Sequence, residues 1–178
     1  VMFQVWIMFD PQQPLILRPI HVGLAVGLAL LWKPLRLPVP RLGGVIDAVL
    51  FLGVSVAVVY HVIESERLVA RMAVIDPILT GDLVFGTVII VVLLECVRRG
   101  VGWTLLGVIL LFLVYAFIGR WWYGWVDVAW IPELLKFSGF EYDAAIESFT
   151  MKAEGVFGIP TSTSLNFVFY FVLFGAVY

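Results

Sequence analysis

Four ionisable residues stand inside otherwise apolar runs of this chain: Asp47, His61, Asp82 and Glu95. Such positions are where proton relays or ion coordination would have to occur, because a charge in hydrocarbon is costly and is compensated by a partner or a function. Asp47, His61 and Asp82 lie close to the ends of their runs, so contact with headgroups and water is their plain reading. Glu95 precedes Arg98 and Arg99 by three and four residues. On a helix that spacing brings one carboxylate against two guanidiniums, a local neutralisation that needs no transport role.

Enzyme chemistry finds little support. His21 and His61 fall in separate runs with no companion at metal-ligand spacing, and Cys96 is the single cysteine. That excludes a disulfide framework and a CxxC-type metal site. There is no paired acidic motif for magnesium and diphosphate, and no glycine-rich phosphate loop. We therefore expect no catalytic residue, no resident cofactor and no metal ligand set. Gly23 and Gly27 form a GxxxG, which favours close helix packing and carries no activity.

The elements that hold these residues follow from composition. Apolar residues make up 62% of the 178 positions and charged residues 13%, against roughly 45–50% and about 25% in soluble domains. The fold class is all-α, a polytopic transmembrane helix bundle. A net charge of -2, with basic residues scattered through short connections, excludes nucleic acid as a partner. The lipid bilayer is the expected surrounding.

A bilayer core about 30 Å thick takes roughly 20 apolar residues per helix. Residues 1–9 read as the last turns of a helix, ending at Asp10-Pro11. The next helix runs from Leu15 to Trp32, with Arg18, Pro19 and His21 in its opening turns, where a long cation can snorkel to the headgroups. The loop Lys33 to Arg41 carries three prolines and ends that helix. Further spans are expected over Gly43–Ile63, Pro77–Val97 (opened by Asp76-Pro77) and Val101–Gly119, with Arg98-Arg99-Gly100 as a tight basic turn. Ser162–Tyr178 begins a fifth. Because the chain opens without an initiator methionine and stops inside an apolar run, it is expected to be an internal piece of a longer polypeptide.

Residues 120–160 differ. Trp121, Trp122, Tyr123, Trp125 and Trp130 form an aromatic belt of the kind found at headgroup level. Glu141 to Ala153 puts Tyr142, Ala145, Ile146 and Phe149 on one helical face and Asp143, Glu147 and Lys152 away from it, an interfacial amphipathic helix. The density of Lys and Arg places loops 33–41 and 98–100 in the cytoplasm. Residues 120–160 then face the exterior, or the periplasm of a double-membraned bacterium.

Three passages resemble those of fused TRAP transporter permeases. Leu93-Leu94-Glu95-Cys96-Val97-Arg98-Arg99-Gly100-Val101-Gly102-Trp103 is similar to their LLExxRRxxGW segment. Glu154-Gly155-Val156-Phe157-Gly158-Ile159-Pro160, leading into the apolar run through Ala176, resembles TEGIFGIPLGVS…FLFVLFGAF of the branch served by TAXI-type receptors. Leu17-Arg18-Pro19-Ile20-His21-Val22-Gly23 is similar to their RxxHLGF helix start. Lys152-Ala153 and Thr161-Ser162-Thr163 depart from the pattern.

The resemblance implies that residues 1–119 are a small-subunit-like (Q) membrane module, 120–160 an external or periplasmic interfacial segment, and 161–178 the first helix of the large (M) module. It implies a bacterial inner-membrane permease for sodium-coupled uptake of organic solutes such as carboxylates, delivered by a periplasmic TAXI-type solute-binding protein. The family's sodium and substrate sites belong to the large module. Glu95, Arg98, Arg99, Glu154, Gly155, Gly158 and Pro160 are the structural or transport candidates that the matched motifs single out. The alternative is a membrane scaffold subunit that packs against a partner and has no solute path of its own.

Overall fold

The structure is a computed structural model that describes residues 2–9, 12–35, 38, 40–72, 75–125 and 139–178. Every regular element among them is helical: α1 (Met2–Phe9), α2 (Pro14–Trp32), α3 (Pro40–Ile63), α4 (Ser65–Ala70), α5 (Thr80–Gly100), α6 (Trp103–Trp125), α7 (Tyr142–Ile146), α8 (Ile159–Thr163) and α9 (Phe169–Val177). A π-helical turn, Glu147–Met151, follows α7, and another, Ser164–Val168, joins α8 to α9. Four stretches are long and apolar enough to cross a membrane: 14–32, 41–63, 80–100 and 142–177. The last is interrupted by a bend at 152–154 and a 3-10 turn at Gly155–Phe157. Apolar residues 103–119 of α6 form a shorter helix of the same character. The protein is an all-α membrane bundle.

Several boundaries differ from the sequence reading: α3 starts at Pro40 instead of Gly43, α6 runs from Trp103 to Trp125, and the last stretch is helical from Ile159; two further shifts have a local reason. The helix expected from Pro77 starts at Thr80, because the Asp82 carboxylate accepts the Leu79 N–H and caps the first turn there. The turn expected at Arg98-Arg99-Gly100 lies one step later. Helix α5 continues to Gly100, and Gly102, at φ +112°, reverses the chain in a conformation that side chains disfavour. Both arginines thereby stay on the last turn of α5, where cations complement the helix dipole.

Helices α2, α3 and α5 form the central packing unit. Val22, Val26 and Leu30 of α2 meet Val54 and Ala57 of α3 and Ile89 and Val92 of α5 in one buried cluster. Gly23 and Gly27 let α3 approach α2: a Cβ at Gly23 would stand 2.7 Å from Val58, and one at Gly27 3.0 Å from Phe51. Into this unit the C-terminal third inserts Phe157, which is fully buried. Outward, Leu28, Leu52, Val91, Leu111 and Phe171 are exposed, as lipid-facing side chains of membrane helices must be. A second cluster, Leu15, Leu68, Ile146 and Met151, binds α7 and its π turn to α2 and α4.

The segment after Glu141 corrects one expectation. Ala145 and Ile146 are buried, but so is Glu147, which a uniform helix would have kept on the polar face. The turn Glu147–Met151 is covered by α5 and by the turn Gly155–Phe157, so that Glu147, Thr150 and Met151 are all buried, with Arg71 3.5 Å from the Glu147 carboxylate. Gly86 on α5 makes room for them, since a Cβ there would stand 2.7 Å from Ile146 and clash with Thr150. The aromatic belt at Trp121, Trp122, Tyr123, Trp125 and Trp130 lies outside the side chains described.

Candidate functional site

The chain's polar side chains gather at the two ends of the α2–α3–α5 unit. The first cluster joins the C-termini of α2 and α5 to the start of α3. Glu95 accepts two bonds from Arg98, both 2.7 Å, and one of 2.7 Å from Arg99. Arg99 also reaches Asp47 at 2.6 Å, and Asp47 accepts the Leu35 N–H at 2.8 Å. Lys33 donates to the carbonyl of Gly100 at 3.1 Å, while Arg99 donates to the Lys33 carbonyl at 3.2 Å. Arg98 lies over the Trp103 ring, 5.4 Å from its centroid. Asp47, expected at the interface on its own, is thus a bridge between α3 and α5.

The second cluster lies at the opposite end. Asp82 is 1% exposed and is held by Arg67 at 2.5 and 3.1 Å and by the Tyr60 hydroxyl at 2.8 Å. Arg67 pairs with Glu64 as well, at 2.5 Å. Hydrogen bonds from Arg67 to Asp82, then to Glu64, raise the guanidinium above its ordinary range, so it stays charged. His61 is buried with Nδ1 2.9 Å from the Ala57 carbonyl and its ring edge-on to Phe157. The expectation that Asp82 and His61 meet water is corrected: Tyr60 and Arg67 replace solvent around Asp82, and the Ala57 carbonyl of its own helix and the Phe157 ring do so around His61. Nearby, Glu147 stands 3.5 Å from Arg71 and 3.6 Å from Lys152.

Arg18 departs from the snorkelling expected of it. Its guanidinium donates to the carbonyls of Ala153 at 3.0 Å and Phe157 at 2.7 Å, clamping the C-terminal turn onto the first turns of α2. His21 adds a 3.1 Å contact between Nε2 and the Ser164 hydroxyl. Glu154 is exposed and its carbonyl accepts the Phe157 N–H at 3.1 Å. Gly155 has φ +55°, and a Cβ there would stand 2.5 Å from the Ser148 carbonyl oxygen. Gly158 is nearly as tight, 2.9 Å from the Gly155 carbonyl, and Pro160 occupies the first turn of α8. These four residues shape a turn that Arg18 fastens.

The candidates therefore separate into two groups. Glu95, Arg98 and Arg99 belong to the first cluster; Glu154, Gly155, Gly158 and Pro160 belong to the clamped turn near the second. Sequence spacing missed Tyr60, Arg67 and Lys33, whose partners are 15 to 67 residues away. Among the described residues no group of three or more His, Cys, Asp or Glu could hold a metal ion. No protein-family model, curated protein or solved structure matches the chain.

Proposed function

We propose that the chain is the N-terminal part of a TRAP-type secondary transporter permease of the bacterial inner membrane. Residues 1–119 would form its small-subunit-like module, 120–160 a periplasmic segment near the receptor, and 161–178 the opening of the large module. The whole protein takes up organic solutes such as carboxylates, driven by sodium and supplied by a TAXI-type receptor. The observation that carries this reading is the clamp: Arg18 and His21, in one resembling passage, bond to Phe157 and Ser164, in or just after another, more than 130 residues away.

Within that protein this segment acts as scaffold. Asp47, Asp82, Glu95 and His61 each have a hydrogen-bond partner, and the three carboxylates are tied to donors of the bundle itself, which supports a structural role for them. The same satisfaction of charge supports the second reading, a scaffold subunit without a solute path. Uptake of radiolabelled carboxylates into proteoliposomes of the intact protein separates them. Accumulation that requires both a sodium gradient and the receptor is the expected result. Absence of uptake by a folded, receptor-bound protein would overturn the transporter reading in favour of the scaffold.

A further inference from the structure

A cleft of about 140 Å³ opens between the C-terminal ends of α2 and α5, lined by Ala29, Trp32, Lys33, Cys96, Arg99 and Gly100. Arg99 is the unusual member. Its side chain is 6% exposed, its Nε and Nη1 are bound to Glu95, Asp47 and the Lys33 carbonyl, and its Nη2 is buried with no hydrogen-bond partner among the described residues. An unmet guanidinium N–H in a buried position costs free energy, and an acceptor oxygen satisfies it, an anionic one most strongly. Lys33 stands on the same cleft and, among the described residues, donates to the carbonyls of Arg99 and Gly100, 3.4 and 3.1 Å away.

Charge points the same way. Three cations, Lys33, Arg98 and Arg99, face two carboxylates, Asp47 and Glu95, and both carboxylates are already engaged by the arginines. The side chains of the cluster carry one more cation than carboxylate, and the carbonyl ends of α2 and α5, to which Lys33 donates, offset part of that excess. Trp32 and Trp103, 87% and 71% exposed, flank this end of the bundle, which sets it at headgroup level. Basic pockets between helices at that depth suit phosphate-bearing lipid headgroups.

We propose that this cleft binds the phosphate of an anionic phospholipid, with Lys33 and the Arg99 Nη2 as its donors. The ligand chemistry is a phosphate anion, and a tethered lipid is its source because the donors sit between two interfacial tryptophans. The site is independent of which solute, if any, the whole protein carries.

Native mass spectrometry of the intact protein, with phosphatidylglycerol or phosphatidylcholine added to the detergent, tests the site. Phosphatidylglycerol is expected to be retained at least about fivefold better, and Lys33→Gln to lower that preference by about fivefold. Arg99→Lys, which keeps a cation beside Asp47 but removes Nη2, should lower it too. Lys152→Gln, at the other end, should leave it unchanged. Equal retention of the two lipids, or a preference that survives Lys33→Gln in a protein of unaltered thermal stability, overturns the proposal. Displacement of phosphatidylglycerol by excess inorganic phosphate would overturn the lipid source and assign the cleft to free phosphate.

Discussion

The two ends of the central helix unit solve the same problem by different means. At one end Glu95 is neutralised by its own helix, through Arg98 and Arg99 at i+3 and i+4, and only then joined to α3 through Asp47. At the other end Asp82 depends on residues of other elements, Tyr60 on α3 and Arg67 on α4. The first arrangement survives changes in helix packing; the second exists only when α3, α4 and α5 are assembled. Local pairing keeps a helix insertable on its own, whereas cross-helix pairing makes assembly cooperative.

Substitutions that break this contrast rank by how much each residue relies on distant partners. Asp82→Ala should be the most damaging, about 3 kcal/mol in thermal unfolding in detergent, because the Tyr60 hydroxyl, the Arg67 guanidinium and the Leu79 N–H all lose a buried acceptor at once. A loss as small as that of a surface change would mean that Arg67 finds another partner. Phe157→Ala removes the side chain that the C-terminal segment places in the core and should cost about 3 kcal/mol. Its distinctive sign is faster proteolysis after Lys152, which the Asp82 variant should show less strongly.

Glu95→Ala should be milder, about 1–2 kcal/mol, since Arg99 keeps Asp47 and Arg98 keeps the Trp103 ring. Folding yield in membranes should still fall below that of Arg120→Ala, and equal yields would count against the local pair. Lys152→Ala is the smallest change. Its ammonium is a third exposed and 3.6 Å from Glu147, a pair worth at most about 1 kcal/mol. An effect as large as that of Glu95→Ala would show that Arg71 alone cannot hold Glu147.

What the sequence made legible follows the same division. The apolar spans were readable because 20-residue runs have few other uses, and the Glu95 pair because helical spacing fixes its neighbours. The partners of Asp82 and Asp47 were not, because they come from packing between helices, 15 to 52 residues away in the chain. Glu147 was assigned to the polar face because the cation that accompanies its burial, Arg71, lies on a distant element that helical periodicity does not show. Arg18 was read as a snorkelling cation; its acceptors are backbone carbonyls, and no residue type announces those.

The central claim is that the two clusters lie at opposite surfaces of a membrane, about 20 Å apart along α5 by helical rise from Asp82 to Glu95. Single cysteines at Val101 and at Glu154, both exposed, test it directly when introduced with Cys96→Ser and challenged in sealed vesicles with a membrane-impermeant maleimide. One position should react in intact vesicles and the other only after permeabilisation. If both react from the same side, the bundle does not span the membrane as described.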